Sequence, residues 1–305
     1  AKQLTLTNAS GNYSGVINGT GSLALNAGTE VLTGINTYTG GTFIQQGALL
    51  ALSGNGSISK SQQLNAFGTF DISGTSNGAS IVSLTGAGNV ALGSNNLNLT
   101  NANDTFSGVI ADGGIANGVG GSLTISKGIE TLTGINTYSG TTYIGANATL
   151  ALAGVGSIEN SKLVNVDGTF DISQITQTYD ADYDATFGNS DIASLTGSGR
   201  VALGSNVLIF NNANDTFSGV LADGGIGGGT AGSIYLEKGT QTLSGMNTFT
   251  GEAYVEPKAT LALIGKGSVA TANTIVFDGV VDISGTTSGA NITGMSGYGT
   301  VYLGS

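Results

Sequence analysis

The sequence predicts an all-β fold in which short strands stack in parallel as the coils of a solenoid. Three observations lead to this prediction. A block of roughly one hundred residues occurs three times, apolar runs recur about every 20 residues within a block, and most runs alternate apolar with polar residues. No sustained 3.6-residue periodicity and no stretch of good helix formers is present, so helix is expected to be almost absent.

Two anchor motifs define the blocks. The stretch Leu32–Tyr38 returns as Leu132–Tyr138 and again, with Phe at its end, as Leu243–Phe249. Phe70-Asp71-Ile72-Ser73 returns at Phe170 and at Val281, so both anchors step by 100 and then by 111 residues. We therefore predict a single β-helix domain over residues 1–305, built of blocks at about 4–94, 97–205 and 207–305.

Within the first block the predicted strands lie near Leu4–Leu6, Leu23–Leu25, Phe43–Ile44, Leu64 and Leu84. Apolar runs at steps of about 20 residues give about five sub-units per block and predict about 15 coils in all. Gly and Asn then occupy the corners, where a positive φ is tolerated. An antiparallel sandwich or barrel is the alternative, but a hairpin meander does not require a constant length per turn.

Composition separates a folded chain from a disordered one and excludes several functions. Of the 305 residues 53 are Gly, yet 39% are hydrophobic and only 9% are charged, so a core is expected. The net charge of −11, with 8 Lys and Arg, argues against nucleic acid and anionic membranes as partners. The longest apolar runs have about six residues, against about 20 for a spanning helix, so this fragment is not expected to insert into a membrane.

The chain contains neither His nor Cys. This excludes Ser-His-Asp and Cys-His catalysis and the usual imidazole or thiolate metal sites. We predict no catalytic residue, no metal site and no cofactor.

Insertions distinguish the blocks and supply the candidate contact residues. Blocks 2 and 3 carry an Asp-Gly-Gly loop that block 1 lacks, and both loops are predicted to be flexible; their residues are Asp112, Gly113, Gly114, Asp223, Gly224 and Gly225. Block 2 alone carries eleven extra residues, predicted to be a loop that contacts a partner or a cation; the candidates are Tyr179, Asp180, Asp182, Tyr183, Asp184 and Asp191. The acid spacing is superficially that of an EF-hand, but Ala185 replaces the central Gly and no helices flank the loop.

The recurrent acids Asp71, Asp171 and Asp282 are a poor catalytic set. As repeat equivalents about five coils apart they would be separated by roughly 24 Å, whereas carboxylate catalysis needs about 5 to 10 Å. A turn role through hydrogen bonds from the side chain to the backbone is favoured. The triplicated Asn36 and Tyr38 positions are likewise predicted to be a corner and a packed aromatic.

A motif at Leu32–Ile44 and Leu132–Ile144 resembles the passenger-associated β-strand repeat of bacterial autotransporters. It reads Leu-Thr-Gly-x-Asn-Thr-Tyr-Thr/Ser-Gly, followed by Thr and an apolar residue. Asp104–Val109, Asp215–Val220 and Asp71–Thr75 are similar to neighbouring parts of such passengers. The resemblance implies a right-handed parallel β-helix. It also implies secretion to the bacterial cell surface, with anchoring in the outer membrane through a C-terminal β-barrel that is missing here.

The resemblance implies a family of adhesins, self-associating proteins and some proteases or esterases, and does not choose among them. Uniform repetition without a unique reactive cluster favours an adhesin or self-association rod, active in aggregation and biofilm formation. Its partner would be a host or bacterial surface protein, a glycan, or a second copy of the chain. Two alternatives stay open at this point: a carbohydrate-active β-helix enzyme using carboxylates, and a passive spacer stalk for another functional domain.

Overall fold

A computed structural model describes residues 2–176, 178–180 and 185–304. These residues form 32 strands and no helix, and the chain divides into two compact units, residues 1–149 and 150–305. Within the described part, no helix is present that is long and apolar enough to cross a bilayer. The predicted all-β parallel solenoid is confirmed, with about 14 turns.

The strands of the first unit are short because Gly and Asn interrupt the chain at each corner. They are β1 (Gln3–Leu6), β2 (Ala9–Tyr13), β3 (Ser22–Leu25), β4 (Gly28–Leu32), β5 (Thr42–Ile44), β6 (Leu49–Gly54), β7 (Leu64–Ala66), β8 (Thr69–Thr75), β9 (Ala79–Ile81), β10 (Leu84–Thr85), β11 (Asn89–Ala91), β12 (Asn96–Leu99), β13 (Ala102–Phe106), β14 (Val109–Ala111) and β15 (Ser122–Leu132). Strand β16 (Thr141–Gly154) contains the division between the units.

Three parallel sheets form the walls of the first unit. The first has the order β1-β3-β5-β7-β10, and the second β2-β4-β6-β8-β11-β14. The third joins β9, β12 and the first half of β15. Each strand therefore pairs with a strand about one turn away along the sequence, which is the pattern of a solenoid.

The core is built from in-register columns of apolar side chains. In the second sheet Leu50, Phe70, Val90 and Ile110 are directly paired and fully buried. Their neighbours in sequence point outward because successive side chains of a strand alternate between its faces. The column buries apolar area at each rung, worth roughly 1.5–3 kcal/mol per fully buried aliphatic or aromatic side chain.

One block spans slightly fewer than five turns of the solenoid; it is short of five by about a third of a turn. The first sheet runs from β1 through β10 to β13, which it reaches by the Gly86–Phe106 bridge, and this is five turns. Yet β12, the block 2 counterpart of β1, precedes β13 and lies on the third sheet. Three blocks of that length give about 14 turns, close to the predicted number of about 15. Equivalent residues of successive blocks consequently do not share a sheet.

The second unit repeats this construction. Its strands are β17 (Leu163–Val166), β18 (Thr169–Ile175), β19 (Thr178–Asp180), β20 (Ala185–Phe187), β21 (Asn189–Ile192), β22 (Leu195–Gly197), β23 (Arg200–Ala202), β24 (Val207–Phe210), β25 (Thr216–Phe217), β26 (Val220–Ala222), β27 (Ser233–Leu243), β28 (Glu252–Gly265), β29 (Thr274–Phe277), β30 (Val280–Thr286), β31 (Met295–Ser296) and β32 (Thr300–Tyr302). One sheet has the order β21-β24-β27-β28-β29-β31, through the first halves of β27 and β28. The hairpin β19–β20 is antiparallel.

The asparagine of each signature motif joins three consecutive turns at a corner. Asn36 Oδ1 accepts a hydrogen bond from Ile17 N at 2.9 Å, and its Nδ2 donates to Gly34 O and Ser57 O. Asn247 makes the same contacts with Leu221 N, Gly245 O and Ser268 O. The predicted corner role is confirmed, since the amide supplies both the donor and the acceptor that a buried corner requires.

The aromatic of the motif is buried and pairs its hydroxyl internally where it has one. Tyr38 Oη lies 2.5 Å from Thr42 Oγ1, which lies 2.9 Å from Ser61 Oγ. Burial raises the pKa of Tyr38 to about 12, and the hydrogen bonds from Thr42 and Ser61 oppose that shift. Block 3 replaces all three residues by apolar ones, Phe249, Ala253 and Ala272. Hydroxyls are thus present or absent together, because a lone buried hydroxyl is destabilising.

Glu130 breaks this rule of buried pairing. Both of its carboxyl oxygens are buried without a hydrogen-bond partner, and Asp104 stands opposite it in register. Burial raises the pKa of Glu130 well above its usual value, and the Asp104 carboxylate raises it further. At the same position of block 3 Gln241 donates to Leu195 O at 3.0 Å and accepts from Leu195 N at 3.3 Å. A protonated Glu130 is the closest chemical equivalent of that amide.

We predict that Phe249→Tyr lowers the free energy of unfolding by about 1–3 kcal/mol, because the new hydroxyl is buried beside Ala253 and Ala272 without a partner. Adding Ala253→Thr supplies the partner that Thr42 gives Tyr38, and should recover most of the loss. Urea unfolding followed by circular dichroism measures both, with Ala253→Thr alone as the control. A double variant no more stable than Phe249→Tyr would contradict the pairing.

We predict that Glu130→Gln raises the free energy of unfolding at neutral pH. The folded-state pKa of Glu130 is raised above its ordinary value of 4.5, so its stabilising contribution is complete below pH 4.5 and is lost as pH rises through the folded-state pKa. The gain should therefore vanish toward pH 4, and the reciprocal Gln241→Glu should introduce the same pH dependence. Denaturant unfolding across pH 4–8 tests this; parallel stability curves for Glu130→Gln and the parent chain would refute it.

Candidate functional site

An outward-facing column of aromatic and aliphatic side chains occupies one sheet of the second unit. Ile209, Tyr235, Tyr254 and Val276 pair directly in register on β24, β27, β28 and β29, and each is partly exposed. We call these four residues the tyrosine ladder. The alternating partners on the same strands, such as Leu208 and Ile234, are fully buried, so strand alternation presents the ladder to solvent.

Carboxylates anchor both tyrosines of the ladder. The ring centroids of Tyr235 and Tyr254 are 5.7 Å apart with an angle of 33° between the ring planes. Tyr235 Oη donates to a carboxylate oxygen of Glu256, and Tyr254 Oη donates to one of Glu252. These bonds fix the hydroxyl ends, so the ladder combines ordered aromatic rings with negative charge at its border.

The ladder is specific to block 3. At the block 2 positions 111 residues earlier stand Asn98, Thr124, Tyr143 and Asn165, and the two acids are replaced by Thr141 and Gly145. That column is polar: Asn98 Oδ1 accepts a hydrogen bond from Ser126 Oγ at 2.7 Å. Neither these tyrosines nor these glutamates are among the contact residues predicted from the sequence. Block 3 has Glu-Ala-Tyr-Val at residues 252–255, where blocks 1 and 2 have Gly-Thr-Phe-Ile and Thr-Thr-Tyr-Ile. This departure from the repeat motif is the signal that could have found them.

Asp191 extends the ladder by one turn toward the block 2 insertion. It lies on β21 and pairs with Ile209. Partial burial, together with the negative charges of Glu159 and Glu237, raises the pKa of Asp191 to about 6. The structure therefore gathers three acids at this end of the ladder, two of them from outside the predicted loop.

The rest of the predicted contact loop is only partly described. Tyr179 and Asp180 lie in β19, which pairs with β20, so their backbone forms the base of a hairpin. Asp182, Tyr183 and Asp184 lie outside the described residues. The proximity of these five residues to Asp191 in space stays a prediction.

The Asp-Gly-Gly insertions are closed at their base by their own aspartate. Asp112 Oδ1 accepts from Gly121 N at 2.8 Å, and its Oδ2 accepts from Ser139 Oγ at 2.6 Å. Asp223 makes the matching bonds with Gly232 N and Thr250 Oγ1. Gly113 and Gly114, like Gly224 and Gly225, have positive φ, a backbone conformation that favours glycine.

Two of the three recurrent acids, Asp71 and Asp171, hold the tips of these same loops. Asp71 is buried; its Oδ1 accepts from Ser73 N at 2.8 Å and its Oδ2 from Ile115 N at 2.6 Å, while Ser73 Oγ accepts from Ala116 N. Asp171 and Ser173 bind the second loop in the same way, through Ile226 N and Gly227 N. Asp282 accepts from Ser284 N in its own turn. The expected role of hydrogen bonding to backbone is confirmed, but the partner loop was not foreseen.

In the described part of the chain no group of three or more His, Cys, Asp or Glu side chains is arranged to hold a metal ion.

The chain is 32% identical over 220 residues, 68% of its length, to the adhesin BmaC autotransporter of Brucella suis biovar 1 (strain 1330). The resemblance to autotransporter passengers is confirmed. The aligned region is 6% of that relative, so the chain corresponds to a small part of a much longer autotransporter. No protein-family model matches the chain, and no solved structure matches it significantly.

We predict that Asp71→Asn loosens the first Asp-Gly-Gly loop, because one amide oxygen cannot replace two carboxylate oxygens that together accept three hydrogen bonds. Losing a charge-assisted bond worth about 1.5–3 kcal/mol should speed hydrogen exchange at the Ile115 amide by roughly 10- to 100-fold. NMR exchange rates measure this. The Ile226 amide, held by Asp171, is the internal control, and its exchange rate should not change. An Ile115 exchange rate that is the same in Asp71→Asn and in the parent chain would contradict the anchoring role.

Proposed function

We propose that this chain is part of an adhesin displayed on the bacterial cell surface, and that its solenoid presents side-chain ladders to a partner molecule. The tyrosine ladder carries the proposal, because partly exposed aromatic side chains with ordered hydroxyls are a common means of surface recognition. The similarity to an autotransporter adhesin supports both the adhesive role and the surface location.

The proposed mechanism is attachment through many weak contacts repeated along the sheets. Outward side chains with hydroxyl, amide or aromatic groups follow one another from turn to turn, at the spacing between strands of roughly 4.8 Å. Contacts that are weak singly become strong when several form on one extended partner. The net charge of −11 directs this recognition toward neutral or cationic surfaces, including host or bacterial proteins and glycans.

Self-association, with aggregation and biofilm formation as its results, is included in the proposal as a second copy of the chain acting as the partner. The exposed aliphatic side chains at the loop tips, Ile115 and Ile226, support it.

Enzymatic cleavage of a carbohydrate is the second candidate, and one observation favours it. Asp191 has a pKa raised to about 6 beside Glu159 and Glu237. A carboxyl group that is partly protonated near neutral pH is what a general acid requires. We nevertheless favour a non-enzymatic role, supported by the adhesin relative.

We predict that beads coated with the whole chain attach to bacterial or host cells severalfold more than beads coated with albumin. Replacing Tyr235 and Tyr254 together by Thr, the residue that block 2 has at Thr124, should remove most of the gain while retaining the fold. Tyr143→Thr, on the polar block 2 column, is the matched control. Microscopy counts attached beads, and clumping of beads without cells reports self-association separately. Attachment no better than albumin, with no clumping, would disprove the adhesive function.

A further inference from the structure

We propose that the tyrosine ladder, with Glu252 and Glu256 at its border, binds an extended polysaccharide that carries amino groups. The inference rests on the proposed adhesive function and names the ligand class of the same surface. Three features support it: the shape of the ladder, the charge beside it and the hydrogen-bonded pairing of the backbone beneath it.

The ladder has the shape of a site for an extended chain. Its four residues lie on four successive strands in direct register, so they form a straight row across the sheet. At roughly 4.8 Å per strand the row is about 14 Å long. A ligand following it lies across the strands and meets an apolar side chain at every step, with the two tyrosine rings at the centre.

The charge beside the row is negative. Glu252 begins β28 and Glu256 follows two positions after Tyr254 on the same strand, and each carboxylate is bonded to a ladder hydroxyl. Asp191 continues the row at one end, with Glu237 acting on it. Lys238 and Lys258 pair with each other farther along these strands, beyond the register shift that follows Leu236. A ligand on the ladder therefore gains from positive charge, through carboxylates and through the faces of tyrosine rings.

The backbone under the ladder favours a sugar polymer over a peptide. β27 and β28 lie inside the sheet with a hydrogen-bonded strand on each side, so their backbone groups are already paired. A peptide on this face cannot add as a further strand, and its own amides gain no backbone partner. Sugar hydroxyls can instead donate to the glutamates, while the C–H faces of the rings pack on the tyrosines. Amino groups on such a polymer supply the matching positive charge.

The first experiment titrates the whole chain with four soluble probes at mildly acidic pH: a glucosamine hexamer, its fully N-acetylated form, a neutral glucose hexamer and hexalysine. The chain has no Trp and 10 Tyr, so tyrosine fluorescence reports binding directly. We expect the glucosamine hexamer to bind at least tenfold more tightly than the other three. Equal binding of the acetylated or neutral hexamer overturns the role of the amino group, and equal or tighter binding of hexalysine assigns the surface to basic peptides instead.

The second experiment locates the site. Tyr235→Thr with Tyr254→Thr should weaken glucosamine-hexamer binding at least tenfold, and Glu252→Gln with Glu256→Gln should weaken it while reducing its salt dependence. Tyr143→Thr should change affinity less than twofold. Circular dichroism confirms that each variant is folded. Binding that survives both double substitutions overturns the assignment.

Failure here is separable from failure of the proposed function. If coated beads attach to cells and lose attachment in the tyrosine variant, yet no glucosamine hexamer binds, the adhesive function stands and the amino-sugar inference falls. If the hexamer is cleaved rather than held, chromatography of the titration mixture shows shorter products, and the carbohydrate-active enzyme replaces the adhesin as the function.

Discussion

Parallel hydrogen bonding between strands one turn apart in the sequence is the constraint on which this molecule depends. Each strand gains both of its neighbours from adjacent turns, so a residue fixes the environment of its counterparts above and below it. Buried columns must then be apolar throughout or paired throughout. The hydroxyls of Tyr38, Thr42 and Ser61 illustrate the second case, and Phe249 with its two alanines the first.

The same constraint determines where variation can occur. A turn cannot lengthen inward without breaking the register, so additional residues leave the solenoid at corners. The Asp-Gly-Gly loops are such additions, yet they are tied back to the turn by Asp112 and to an earlier turn by Asp71. An insertion held at its base and its tip can position exposed residues such as Ile115 without enlarging the core.

The tyrosine ladder, where we propose that a partner binds, is an outward column that differs from its block 2 counterpart. The block 2 column at the equivalent positions carries the polar side chains of Asn98, Thr124 and Asn165 besides Tyr143. In the ladder, Tyr235, Tyr254 and the two glutamates bonded to them lie on a rigid sheet. Rigid placement of aromatic side chains lowers the entropy lost on binding, so a short row of them can select a ligand that the polar columns do not.

The sequence by itself determined the fold class, the corner role of Asn36 and the turn role of Asp71, because each follows from local periodicity or from the chemistry of one side chain. It predicted about 15 turns, close to the roughly 14 of the structure; the small difference arises because one block ends about a third of a turn short of five turns. Only the tertiary structure showed that Asp71 binds a loop 44 residues away, that Glu130 lacks a partner, and that four strands align the tyrosine ladder. Those relations depend on the register between turns. The corners set that register through their varying lengths, and no local sequence pattern predicts it.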